Sequence, residues 1–238
     1  MYQTALTSPQ WGHYHFSSYD NPFIDPAIID IIRTTTPEQI FEQEYFAAFV
    51  EGGGSVFQNV SRSLTATVQE IPVANHDYIA GIDLAKHHDF SVITIIDADI
   101  QEVVYIERFN QINYIDQIDI FVDILNRFKC VATVVETNSN EAVIELLSER
   151  NIDVLPFRTT AQSKRSIIED LQVALSTLQL YLPSPDHGSP YTDLIRELVD
   201  FEVSPRSNGL HYSAPAGKHD DMVMSLALAY YGVKRGML

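Results

Sequence analysis

The chain has 238 residues, 45% of them hydrophobic, which suits one sizeable core with an extension and is short for two full domains. A single cysteine, Cys130, excludes a disulfide framework and a cysteine metal site, and a formal charge of -17 argues against unaided affinity for a polyanion. No run approaches the roughly 18 apolar residues of a membrane helix, and residues 1–13 lack the basic start and apolar segment of a signal peptide, so a soluble, unexported protein without a membrane partner is expected.

The acidity is unevenly placed. Residues 1–150 hold 7 basic and 22 acidic side chains, whereas residues 151–238 hold 8 and 10, so the second half can offer a local basic surface.

Residues 1–25 are aromatic and polar without period, and Tyr19-Asp20-Asn21-Pro22 is turn-prone, which reads as an arm or linker. Ile28, Ile29, Ile31 and Ile32 after Asp25 predict a short helix. Thr34-Thr35-Thr36-Pro37 ends it and starts another over residues 38–49, with Thr36 as N-cap and Pro37 at the first helical position. Glu51-Gly52-Gly53-Gly54-Ser55 is a flexible joint, and the twenty residues after it carry only scattered apolar positions. The expected division is therefore residues 1–76, an arm, linker and short helices, and residues 77–238, the main domain.

Residues 78–84, 91–97 and 102–109 are strand-like runs with turn-length gaps and predict an antiparallel meander. Ile115, Ile118, Phe121, Val122 and Leu125 recur at helical spacing. The apolar run around Cys130 then leads into a buried-type strand at 131–136. A helix at 140–150, a strand at 154–157 and a helix at 164–178 follow. Three strands, a helix, then strand-helix-strand-helix specify an α/β fold with a mixed β-sheet, its later strands parallel because helical crossovers return to the same sheet right-handed. That succession is the RNase H-like one. Residues 179–215, with turn signals and an amphipathic stretch at 191–201, read as an insertion over one edge, and residues 220–234, with small residues on one face, form the last helix.

Asp83 is the only charged residue in the apolar run from Ile79 to Leu84, and burying an unpaired carboxylate costs several kcal/mol unless it is neutralised or binds a cation. Capping the following turn or pairing with Lys86 would also explain it. Glu136 ends the strand expected beside that of Asp83, so the two carboxylates meet at one sheet edge. His219-Asp220-Asp221 opens the last helix, where one acid serves as an ordinary N-cap and two exceed what capping requires.

These residues supply the hard oxygen ligands that Mg2+ or Mn2+ prefers, and a pair of such ions hydrolyses phosphodiesters without a covalent intermediate. Bound cations also invert the local potential, which answers the objection from net charge. Asp89 is either an outer ligand or a turn former. His87, His88, His211 and His219 match no zinc spacing, although His219 can serve as a general base or phosphate contact. Arg158, Lys164, Arg165, Arg206 and Lys218 are the candidate DNA contacts.

Several strings make the match specific. They are Asp20-Asn21-Pro22-Phe23-Ile24-Asp25, Gln43-Glu44-Tyr45, Gly53-Gly54-Ser55-Val56-Phe57, Gly81-Ile82-Asp83 with Asp89, Glu136, and His219-Asp220-Asp221-Met222-Val223-Met224-Ser225-Leu226-Ala227. In these the chain resembles the C-terminal nuclease domain of the large terminase subunit of tailed bacteriophages.

The resemblance implies a metal-dependent endonuclease that cuts concatemeric phage DNA during packaging, with Asp83, Glu136, Asp220 and Asp221 holding Mg2+ or Mn2+. It implies double-stranded DNA as substrate, the portal or procapsid and the small terminase subunit as partners, and the host bacterial cytoplasm as location. No Gly-x-x-x-x-Gly-Lys-Ser/Thr phosphate loop occurs in the 238 residues, so translocation is not expected of this chain alone, and residues 1–50 resemble the end of an ATPase region and its linker. The alternatives left open are another RNase H-like nuclease, acting on junctions or RNA-DNA hybrids, and a non-catalytic docking module.

Overall fold

In the computed structural model the described residues are 10, 12, 14–36, 38–48, 56, 57, 60–84, 90–138, 142–206 and 209–236, with backbone only for 38, 39, 205 and 206. Two units pack separately, Met1–Glu51 and Gly52–Leu238. In the first, α1 (Pro26–Thr35), the short helix expected after Asp25, starts where the Asp25 carboxylate accepts from the amide of Ala27 and proline fills the first helical position. Thr36 closes α1 as its C-cap, and Pro37 lies outside the described residues. α2 (Glu38–Tyr45) ends short of the predicted 49, because Ala47 takes a left-handed conformation. Arg33 lies over the Phe41 ring at 5.4 Å, and Phe41 stacks on Tyr45 at 4.9 Å.

In the second unit β1 (Tyr78–Asp83), β2 (Ser91–Asp97) and β3 (Glu102–Phe109) form the expected meander, with Asp83 opposite Val92 and Ser91 opposite Phe109. α3 (Tyr114–Phe128) begins at Asn113, whose side chain accepts from the amide of Asp116, and ends at Lys129 in the left-handed region. It returns the chain to β4 (Ala132–Glu136), parallel to β1. α4 (Ala142–Ser148) does the same for β5 (Val154–Phe157), parallel to β4. The sheet order is β3-β2-β1-β4-β5, the mixed architecture expected.

Both faces of the sheet are covered, which is why its strands read as near-continuous apolar runs. Ile93, Ile95, Val104 and Val135 face Ile118, Phe121 and Leu125 of α3 and Val143 and Leu147 of α4. Val92, Ile96, Val103 and Val134 face a second layer. That layer contains α5 (Ala161–Ser176), α6 (Tyr191–Asp200) and α7 (Asp221–Lys234). α5 starts three residues before the predicted 164, because Thr160 and Ser163 form a reciprocal cap.

The segment left as an insertion contains α6 and a separate hairpin, β6 (Glu202–Arg206) with β7 (Gly209–Ser213). Tyr181 lies along the open edge of β3, donating to Gln101 O at 3.0 Å and accepting from Val103 N at 2.9 Å, which protects that edge. The residues just before the predicted main domain also join its core: Val56, Phe57 and Val60 are buried, and Val56 donates to Phe201 O at 2.9 Å. Single apolar residues in a polar stretch carry no period, so periodicity does not assign them to the core, although Val56 and Phe57 belong to one of the strings that carry the resemblance.

α7 is buried on nearly every side from Met222 to Tyr230. Ser225 Oγ donates to Gly81 O at 2.9 Å and lies 2.8 Å from Thr94 Oγ1, a fully buried latch between helix and sheet. The small face of this helix predicted from sequence is what lets its backbone approach β1.

Candidate metal and nuclease site

The parallel pairing of Ile82 with Val135 puts Asp83 and Glu136 side by side at the carboxyl ends of β1 and β4. Each is half-buried. Carboxyl ends of neighbouring parallel strands are where open α/β sheets place their ligands. β2 is antiparallel to β1, so its start lies at this end too. There the backbone N–H of Phe90 donates to Asp221 Oδ2 at 3.2 Å, which brings the first turn of α7 to the same edge.

The four acids predicted from sequence therefore gather at one place. The Asp83 carboxyl is held well above the usual carboxylate range, first by burial, then by the charges of Glu136, Asp221 and Asp220, with a hydrogen bond to Glu136 acting in the same direction. Asp220 occupies the N-cap position of α7, yet its side chain makes no capping hydrogen bond; Oδ2 accepts instead from Lys164 Nζ at 2.8 Å. His219 Nδ1 lies 3.5 Å from Asp221 Oδ2, and the His219 ring meets Phe90 edge-on at 5.3 Å.

Glu197, on α6, was not legible as part of this region. It is buried, accepts from the amides of Met222 and Val223 at 2.9 and 3.4 Å, and has its carboxyl pushed up to about 7 by burial. The amphipathic period of 191–201 assigns it to a helix but says nothing of what that helix meets.

Four carboxylates from three elements gather only oxygen donors, the chemistry that could hold a divalent cation. Among the described residues the one group of three metal-capable side chains whose ligand atoms lie within 4.8 Å of one another is elsewhere, His76, Asp97 and Asp99. It sits at the other end of the sheet, where Asp97 pairs with Tyr78. Each already has a partner: His76 Nδ1 lies 2.7 Å from Asp97 Oδ2, and Asp97 Oδ1 accepts from the Asp99 amide at 3.2 Å. Asp99 in turn accepts from the Asp77 amide at 2.7 Å.

No family model matches the chain. It is 29% identical over 238 residues to the large terminase subunits of Thermus virus P23-45 and Thermus phage G20c, a match that covers 94% of this chain and 47% of each relative. The crystal structure of the large terminase nuclease from thermophilic phage G20c superposes with a TM-score of 0.67 at 25% identity, over 75% of this chain and 98% of that one. The chain is a homologue of phage large terminases. It spans about half the length of those curated relatives. The same G20c nuclease has been crystallised with magnesium, cobalt or zinc bound. The large terminase of another thermophilic bacteriophage, at 12% identity and a TM-score of 0.65, shares the fold over 91% of this chain and 54% of that one.

Against this terminase nuclease fold the basic candidates separate. Lys164 stands beside the acids through Asp220, and it also lines a cavity of about 270 Å³ with Thr159, Thr160, Arg165, His211 and Tyr212. Arg165 is paired with Glu169 at 2.8 Å and Lys218 with Asp200 at 2.7 Å, while Arg158 is exposed. The Arg206 side chain, and Asp89 with Lys86, His87 and His88, lie outside the described residues.

The electrostatics give a pH prediction. The Asp83 proton is held more tightly in the folded than in the unfolded chain, so its stabilising effect is complete below about pH 4 and is lost as pH rises toward its raised folded value. Glu197 acts in the same direction, over a window that ends near 7. Thermal melts in chelator should therefore show Asp83→Asn gaining on the wild type as pH rises above about 4. At pH 8, Mg2+ or Mn2+ at about 100 times its Kd should stabilise the wild type by about 2.7 kcal/mol. A difference between the two proteins that does not change with pH would contradict this reading.

Proposed function

We propose that this chain is a divalent-metal-dependent endonuclease that cuts concatemeric phage DNA during genome packaging. The observation that carries the proposal is the convergence of Asp83, Glu136, Asp220 and Asp221 at one sheet edge in a homologue of terminase nucleases, one of which binds magnesium.

Asp83, Glu136, Asp220 and Asp221 would hold Mg2+ or Mn2+, two ions by the number of carboxylates, with Asp89 as an outer ligand. When bound, such ions supply activation of a water and stabilisation of the leaving oxygen. Asp83, at the end of β1 beside Glu136 at the end of β4, would contribute its carboxylate to the ligand set. Lys164, paired with Asp220, turns toward a phosphate oxygen when the acids are neutralised, and His219 either donates an N–H to a phosphate oxygen or, when neutral, takes a proton as general base. Arg158, Arg165, Arg206 and Lys218 contact the DNA backbone, which fixes register without reading bases. Residues 1–76 serve as arm and linker from an ATPase–nuclease junction, except that Val56, Phe57 and Val60 pack into the core, and 77–238 carry the catalytic fold. Double-stranded DNA is the substrate, with the portal or procapsid and the small terminase subunit as partners in the host bacterial cytoplasm. Among the described residues no helix is long and apolar enough to cross a membrane.

The test is incubation with supercoiled plasmid, a four-way junction and an RNA-DNA hybrid, with Mn2+ or Mg2+ and with chelator. Nicked and linear plasmid appearing only with metal supports the proposal. Exclusive cutting of the junction or hybrid moves the chain to another RNase H-like nuclease, and no cutting of any substrate at any metal concentration leaves it a docking module.

A further inference from the structure

The first turn of a helix leaves amide N–H groups open, and the side chain of the N-cap residue ordinarily accepts from those at the second and third helical positions. In α7 those amides belong to Met222 and Val223 and the N-cap residue is Asp220, yet the acceptor is Glu197 Oε2, on a different helix. Glu197 is held from its other side by Arg108 of β3, whose Nη2 lies 3.4 Å from Oε1 and whose Nη1 lies 3.4 Å from Asp193. The Arg108 guanidinium also sits 3.6 Å from the centre of the Phe90 ring, and Phe90 is the residue whose amide binds Asp221.

This is a costly way to cap a helix. Glu197 is 8% exposed, its Oε1 and Arg108 Nε have no hydrogen-bond partner among the described residues, and burying an imperfectly satisfied ion pair is seldom favourable on its own. A carboxylate already present at the N-cap could do the same task with little burial. The expense is explained if the Asp220 side chain is required elsewhere, and it is found elsewhere, on Lys164 and close enough to Asp83 to add to the charge that Asp83 experiences.

We propose that Glu197 is a positioning residue: by capping α7 from α6 it releases the Asp220 carboxylate from helix capping and leaves it directed into the acidic cluster. Arg108 holds Glu197 in that role and, through Phe90, steadies Asp221. The inference rests on the reading of these acids as the metal centre.

The test measures Mn2+ binding to the full chain without DNA, from the electron paramagnetic resonance signal of free Mn2+, beside plasmid cutting and a crystal structure of the variant. Glu197→Ala is expected to weaken Mn2+ binding about 10–100-fold and to show Asp220 turned back onto the amides of Met222 or Val223. Glu197→Gln, which keeps an acceptor oxygen, should bind Mn2+ nearly as the wild type does. Should Glu197→Ala not fold, Glu197→Asp keeps the charge beside Arg108 but falls short of the α7 amides, and the same loss is expected. A folded Glu197→Ala or Glu197→Asp with wild-type Mn2+ affinity overturns the inference, as does a folded Glu197→Gln that loses affinity as fully as alanine. If the wild type itself neither binds Mn2+ nor cuts, the proposed function falls; if it does both and the variants match it, only the role of Glu197 falls.

Discussion

Asp83→Asn is expected to lower metal-dependent plasmid cutting by about 10²–10³-fold or more, the scale of losing one group that stabilises developing charge, while the protein stays folded. Asp83 is the acid most loaded by its neighbours, with Glu136, Asp221 and Asp220 all raising its proton affinity, so it has the most to gain from a bound cation. Asparagine has nearly the same shape but carries no charge, so the repulsion disappears along with the ligand. Without metal the variant should melt no lower than the wild type at neutral pH. The pairing of lost cutting with retained or increased stability separates a ligand from a structural residue, because removing a structural partner would lower both. Initial rates on supercoiled plasmid and melts of the same samples make the comparison. A variant that cuts as the wild type does would remove Asp83 from the chemistry.

Gly81→Ala should have the largest effect on stability. A Cβ at Gly81 would stand 2.2 Å from Ser225 O, 2.3 Å from Ala229 N and 2.9 Å from Ala229 Cα, all backbone atoms of α7 that cannot swing aside. The helix must lift off the sheet, breaking the latch of Ser225 to Gly81 O and Thr94 and opening voids among side chains that are now fully buried. Overpacking of a rigid core costs about 3 kcal/mol or more in such cases, which for a unit of this size is a fall in Tm of about 6–12 °C or beyond. Cutting should fall as well, since the displaced helix carries Asp220 and Asp221. A melt within about two degrees of the wild type would mean that α7 does not lie against β1 as described.

Much of this was legible in the sequence for a simple physical reason. Sheet strands buried on both faces need long apolar runs, so 91–97 could be delimited to the residue. The single charge in 79–84 stood out in an apolar run, although a turn cap or a pair with Lys86 would have explained it as well. The parallel return of β4 beside β1 followed from a helix lying between them, and with it the meeting of Asp83 and Glu136. Residues whose role depends on what another element brings were not legible. The cap at Thr160 depends on Ser163 answering it, and Val56, Phe57 and Val60 carry no period that points to the core.

Asp220 and Asp221 show where the boundary lies. Their identity, their place at the start of the last helix and their membership of an acidic set were determined by the sequence, because residue type and chain order are local facts. Whether one of them was spent on capping was decided only by the tertiary structure. The amides of that first turn are taken by Glu197, which lies more than twenty residues earlier on another helix, and Asp220 is thereby left to Lys164 and the cluster. Hydrogen-bond acceptance depends on distance in space, and no pattern along the chain encodes which of several carboxylates will reach a given N–H first.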